Sequence, residues 1–188
     1  MKIVLIVLLV LGLLAGGFAM KIIGVRNELV TQREAINGAW AQVDVVLQRR
    51  ADLIPNLVES VKGFAKQEEK VIGSVTAARA SLLSARTPQE KIQANQQLDG
   101  AIGRLLVMVE NYPNLKSNEN FLKLQDELAG TENRIAVERR KYNETVERYN
   151  TNIQLFPNNI AASLFGFVRN DAYFKTDPGA RTAPAVKF

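Results

Sequence analysis

The chain has 188 residues, and its 24 Lys and Arg exceed its 19 Asp and Glu, so the formal net charge is +5. It contains neither Cys nor His, which excludes disulfides, thiolate metal sites, Ser-His-Asp catalysis and Glu-x-x-His di-iron sites. It has no Gly-rich phosphate-binding motif and no nucleic-acid-binding motif. We therefore expect no enzyme activity, no cofactor, no bound metal and no nucleic-acid partner.

The N-terminus carries a long apolar run. Residues 3–20 include no charged residue and no Asn, Gln, Ser, Thr or Pro. As a helix this run spans about 27 Å, close to the hydrocarbon thickness of a bilayer. We predict a transmembrane anchor over residues 1–23, which makes this a single-pass protein of the cell (inner) membrane in contact with lipid.

Two alternatives concern this anchor. A cleaved signal peptide would use Lys2 as its basic region and cleavage after Gly17-Phe18-Ala19, but the run is longer than the usual apolar segment of about 7–15 residues. Gly12 and Gly16 form a G-x-x-x-G pair, the spacing at which two membrane helices approach closely, although Gly is common in membrane helices generally. A homo-oligomer held by this helix is one expectation.

Basic residues flank the run unequally. Lys2 precedes it, whereas Lys21, Arg26 and Arg33 follow it. Because Lys and Arg are enriched on the cytoplasmic side of membrane helices, we predict a cytoplasmic bundle and a short N-terminus outside the cell.

The first soluble helix is predicted over residues 22–54, where apolar residues recur mostly every three, four or seven positions. Trp40 lies on this apolar stripe, as a core anchor or as a platform for a ligand. Pro55 lacks the N–H that would bond to the carbonyl of Ala51, so we predict a kink or a break near Ile54.

Three further long helices follow. The second is predicted to reach about Arg86, and Thr87-Pro88-Gln89-Glu90 is typical of a capping box that starts the third, which ends at residues 111–114. Ser117 is the predicted cap of the fourth, which extends to about Phe156. Residues 158–167 are short and apolar, and either dock on the bundle or meet the membrane surface.

The fold class is therefore predicted as all-α. The N-terminal transmembrane helix is followed by an antiparallel bundle of about four long helices over residues 24–168. Residues 169–188 are predicted to form a flexible C-terminal tail, because the chain there becomes rich in Pro, Gly and Ala.

Three segments, residues 27–65, 132–150 and 156–167, resemble the LemA family, most specifically in RRADLIPNL at residues 49–57. The resemblance implies a single-pass bacterial membrane protein with a bundle of long helices and an extracellular N-terminus. Some members carry a lipoprotein Cys that this chain lacks, so their topology need not apply. The family has no established molecular function, and the resemblance implies no catalytic residue.

The candidate site is the short segment around Pro55, in which charged residues lie next to the proline. Its residues are Arg49, Arg50, Asp52, Pro55 and Asn56. One hypothesis is a network that fixes how the first two helices meet. A second is a docking surface for a membrane protein partner, and a third is an anion-binding or catalytic site.

The function that these observations favour is a membrane-anchored helical scaffold or adaptor that acts through protein or lipid contacts. The alternative is an accessory factor of membrane proteolysis or of the envelope stress response.

Overall fold

The computed structural model describes residues 1–65 and 67–175. Over these residues the structure contains helices and no strand, which confirms the all-α prediction. The helices are α1 (Lys2–Lys62), α2 (Glu69–Ser84), α3 (Pro88–Val109), α4 (Pro113–Lys116), α5 (Glu119–Asn152) and α6 (Asn158–Leu164).

The chain divides into two compact units. The first contains Met1–Ala39 and Tyr142–Asp171, which are the N-terminal part of α1, the end of α5, and α6. The second contains Trp40–Lys141 and, among the described residues of the C-terminal segment, 172–175. It holds the remainder of α1 and α5 together with α2, α3 and α4.

Helix α1 changes character along its length. It is long and apolar enough to cross a membrane, and residues 2–21 at its N-terminal end are exposed. Burial begins directly after this run, since Ile22 is 7% exposed and Leu29 is fully buried. One helix thus carries an exposed apolar run and then an apolar stripe that packs into the folded domain.

The predicted end of the first helix at Ile54 is wrong. Helix α1 continues through Pro55 to Lys62, and the next helix begins at Glu69. The carbonyl that Pro55 leaves without an intrahelical donor is that of Ala51. The Nε of Arg79 in α2 donates a hydrogen bond of 2.8 Å to this carbonyl, so a side chain replaces the missing backbone donor and the helix persists.

The capping box at the start of α3 is confirmed. The Thr87 hydroxyl accepts from the Glu90 N–H at 3.2 Å, and the Glu90 carboxylate accepts from the backbone N–H groups of Arg86 at 2.7 Å and Thr87 at 3.1 Å. These two backbone hydrogen bonds, that of Arg86 first, lower the pKa of Glu90 from its ordinary value. Three local residues, Arg86, Thr87 and Glu90, therefore define this helix start.

Replacing the capping hydroxyl by Thr87→Ala should lower the free energy of unfolding by about 1 kcal/mol, because an N–H in the first turn loses its acceptor. Denaturant unfolding followed by circular dichroism measures the change. Ser81→Ala, which alters an exposed hydroxyl inside α2, is the control and should stay within about 0.5 kcal/mol. Equal losses of unfolding free energy in the two variants would contradict the N-capping role of Thr87.

The same box predicts an acid dependence. The Glu90 pKa is lowered in the folded protein, so its stabilising contribution is present above its ordinary pKa and is lost as the pH falls through the lowered folded pKa. Glu90→Gln should remove this part of the acid sensitivity.

The start of α5 differs from the prediction by one residue. The Asn118 side-chain oxygen accepts from the N–H groups of Asn120 and Phe121, both at 3.1 Å. The hydroxyl of Ser117, the predicted N-cap residue, instead donates to the carbonyl of Pro113 at 3.0 Å. The C-terminal end also differs, since α5 ends at Asn152 rather than near Phe156.

Contacts exist along part of the predicted tail. In the first unit, Asn150 donates to the carbonyl of Asn170 at 2.7 Å and accepts from the Asn170 N–H at 2.8 Å. In the second unit, the Phe174 ring stacks on Trp40 with centroids 6.0 Å apart. Trp40 itself is partly buried rather than fully enclosed in the core. Residues 176–188 of the predicted tail lie outside the described residues.

Candidate functional site: an ion-pair network around a buried arginine

Arg50 lies at the centre of a network in the second unit. It is only 5% exposed, and its Nη1 pairs with the carboxylates of Asp99 and, at 2.7 Å, Glu132. The same atom lies 3.4 Å from the side-chain oxygen of Asn95. Because Arg50 is in α1, Asn95 and Asp99 in α3, and Glu132 in α5, the guanidinium links three helices.

The local sequence explains how an arginine reaches the core. Leu47, Ile54 and Leu57 are buried on α1, and Arg50 is separated from its neighbours in this series by three and four residues. Helical spacing therefore turns Arg50 towards the same face as these apolar side chains. A buried cation at such a position requires carboxylate partners from other helices.

A second arginine completes the network. Arg139 on α5 lies 3.6 Å from Asp99 and 3.8 Å from Glu132, measured between guanidinium nitrogens and carboxylate oxygens. Its guanidinium carbon is 5.0 Å from the centroid of the Phe174 ring, within the range of a cation–π contact. Two arginines thus face two carboxylates, so the four side chains carry no formal net charge.

The carboxylate Asp99 is further positioned from its own helix. Its second oxygen accepts from the Asn95 side chain at 3.0 Å, and Asn95 is fully buried. These two residues are four apart on α3, which places them on one face. The arrangement can hold three helices in one register. It presents no nucleophile beside a base.

Of the five residues predicted around Pro55, the structure brings only Arg50 into this network. Arg49, Asp52, Pro55 and Asn56 are exposed, and Asp52 accepts from Gln48 on the same helix at 2.9 Å. Arg50 pairs instead with Asp99 and Glu132, which lie on other helices. A docking role for the exposed residues stays a prediction.

Sequence reasoning missed four members of the network: Asn95, Asp99, Glu132 and Arg139. The signal that could have found them is an arginine at a core-facing position of α1. Because a buried cation needs carboxylate partners, acidic residues close to the apolar stripes of other helices are the candidates. Asp99 directly follows the buried Leu98 and fits that description.

The predicted membrane-helix contact is not made within the described chain. Gly12 and Gly16 are exposed, and apart from their chain neighbours and their own helix backbone no atom comes within 4 Å of the position that a Cβ would take. Their pairing with another helix stays a prediction.

The second unit also has an open, largely apolar groove along α2, with a volume of about 810 Å³. It is lined by Lys62, Glu69, Ile72, Gly73, Thr76, Ala77 and Ala80. Across residues 1–65 and 67–175, no group of three or more acidic side chains is arranged to hold a metal ion.

The fold and the site together define a class of protein: a helical bundle with an apolar N-terminal helix and an internally neutralised ion-pair network. Residues 39–188 match the family model described as the LemA family. Since the match covers most of the chain, the chain belongs to the LemA family.

Individual relatives agree with this assignment. Magnetosome protein MamQ 2 of Paramagnetospirillum magneticum is 28% identical, and the match covers 83% of this chain and 66% of that protein. Protein LemA of Metamycoplasma hominis is 25% identical over 78% of this chain and 68% of that protein. MamQ of Magnetospirillum gryphiswaldense is 27% identical, with 83% and 66% covered. The chain thus spans just under two thirds of the length of the MamQ relatives, and none of these names states a chemical reaction.

Proposed function

We propose that this protein is a single-pass membrane scaffold or adaptor that works by binding protein or lipid. The observation that carries the proposal is the continuity of α1. The helix has an exposed apolar run of membrane-spanning length, and its buried stripe begins at Ile22 without a break between them. A folded domain attached directly to such a span is held at the bilayer surface.

The chemistry of the bundle supports a binding role. The charges of the Arg50 network neutralise one another and hold helices together. The apolar groove along α2 has the concave, weakly polar character common to binding sites. We propose this groove as the surface that receives a protein partner.

Site-specific photo-crosslinking of the full chain in its native membrane tests this function. A photoreactive residue at Thr76, in the groove, should give a discrete adduct, and mass spectrometry then identifies the partner. Lys123 on α5 is exposed and outside the groove, and the same residue placed there should give no such adduct. The same adducts from both positions would contradict groove binding.

The identity of the adduct also separates the functional alternatives. A membrane protease captured specifically from Thr76 would favour an accessory role in membrane proteolysis. A non-proteolytic membrane protein would favour the scaffold.

Orientation is tested with an introduced thiol, because the chain has no Cys. Val107 on α3 is 72% exposed, so Val107→Cys presents an accessible thiol. With the bundle in the cytoplasm, as the flanking basic residues predict, a membrane-impermeant maleimide should label it only after the cells are opened. Full labelling of intact cells would reverse the orientation.

A further inference from the structure

The first unit exposes an apolar surface at the end of α5. We call it the cap, defined as residues 155–165, which comprise the turn after α5, helix α6 and Phe165. Its exposed apolar side chains are Leu155 at 56%, Phe156 at 80%, Ile160 at 42%, Leu164 at 69% and Phe165 at 41%.

Two contacts place the level of the cap along α1. Asn152, at the end of α5, donates to the Glu28 carboxylate at 2.9 Å. After α6 the chain returns, and the Phe165 ring lies 5.5 Å from the guanidinium carbon of Arg26. Both ends of the segment between residues 152 and 165 therefore meet α1 at residues 26–28.

The direction of approach follows from residues further along. Phe167 lies 5.6 Å from the guanidinium carbon of Arg33, and the Tyr149 hydroxyl donates to the neighbouring carbonyl of Val168 at 2.9 Å. Residues 149 and 167 thus lie at the level of Arg33 on α1, whereas residues 152 and 165 lie at the level of residues 26–28. The cap joins these two paths beyond Asn152, at the end of α5 that lies nearest the apolar run of α1.

Burial on α1 agrees with this placement. Ile22 and Val25 are 7% and 8% exposed, whereas Ile23 is 56% exposed. In this unit the chain outside α1 is Tyr142–Asp171, and the segment beyond Asn152 is the part that reaches this level. The folded domain therefore closes over α1 within two residues of Met20.

Distances then place the cap beside a bilayer. Arg26 lies about 9 Å along the helix from Met20. The headgroup region of each leaflet is about 5–8 Å thick. The cap meets α1 at residues 26–28, so its exposed side chains lie close to the outer edge of the headgroup region. Lys21 and Arg26, both exposed at this level, add positive charge that favours anionic lipid.

We propose that the cap is a second membrane contact, in which Phe156 and Leu164 enter the boundary between headgroups and acyl chains of the bilayer that α1 spans. This inference rests on the proposed membrane anchor. Exposed aromatic and aliphatic side chains beside basic residues are suited to that boundary. Because α1 holds the cap at the surface, a small apolar patch suffices, as its local concentration at the bilayer is high.

Fluorescence quenching of the full chain in vesicles tests the cap. Single-cysteine variants Phe156→Cys and Leu164→Cys are labelled with an environment-sensitive fluorophore and reconstituted in equal parts phosphatidylcholine and phosphatidylglycerol. Lipid brominated near the headgroup should remove most of the label fluorescence, and aqueous iodide should remove little. Val107→Cys, an exposed apolar site on α3, is the matched control and should show the opposite preference.

Flotation of the same vesicles separates the two proposals. A chain that does not float with the vesicles overturns the membrane anchor and the cap together. A chain that floats, but whose cap labels are quenched by iodide like the Val107 label, overturns the cap alone. A third outcome also overturns the cap proposal: labels that neither quencher reaches, together with crosslinks from the cap to a second copy or to another protein. Protein, not lipid, would then cover the surface. Circular dichroism of each variant confirms that the helices are intact.

Discussion

Removing both carboxylates that face Arg50 is expected to destabilise the bundle by about 3–5 kcal/mol, the cost of leaving a buried charge uncompensated. Asp99→Asn combined with Glu132→Gln keeps the side-chain shapes and removes only the charges. The Arg50 side chain is 7% exposed, so water cannot replace its partners. The carboxylates are 34% and 43% exposed, which favours the lower end of this range. Denaturant unfolding of the solubilised full chain, followed by circular dichroism, measures the loss.

Two further variants separate the network from a general effect of charge. Asp126→Asn with Glu127→Gln removes two exposed carboxylates of α5 and should change stability by no more than about 0.5 kcal/mol. Adding Arg50→Met to the Asp99 and Glu132 double variant should restore much of the lost stability, because the buried charge is then gone. A triple variant as unstable as the double would contradict this explanation.

The second large effect is expected at Arg79, which donates to the Ala51 carbonyl that Pro55 leaves without a backbone donor. Arg79→Ala should cost about 1–3 kcal/mol, because it leaves the backbone carbonyl of Ala51 without its hydrogen-bond donor in a buried position. Ala51 is fully buried, and the Arg79 Nε donates to it at 2.8 Å. The same unfolding measurement applies, with Arg104→Ala, an exposed arginine of α3, as the control.

A double-mutant cycle makes this prediction specific. Pro55→Ala restores a backbone N–H that can bond to the Ala51 carbonyl within α1. In that background Arg79→Ala should therefore cost clearly less than in the native chain, and the difference is the coupling between the two positions. Equal costs in both backgrounds would mean that Arg79 acts through other contacts.

Features encoded by a few neighbouring residues could be predicted from the sequence. The apolar composition of residues 3–20 indicated a helix of membrane-spanning length, and the structure has one. Thr87 and Glu90 indicated the start of α3, because both hydrogen bonds of a capping box join residues three apart. Helical periodicity likewise predicted the all-α fold.

Features that join distant residues were decided only by the tertiary structure. The local rule for Pro55 predicted a kink or a break, but α1 does not break, and a donor 28 residues away on α2 satisfies the freed carbonyl. Arg50 belongs to the cluster predicted beside Pro55, but its partner Asp99 is 49 residues away, so no local pattern could have named that partner. Periodicity specifies which face of each helix is apolar, but not the axial register between helices. That register is set by the packing of whole helices, and it determines which carboxylates meet a buried arginine.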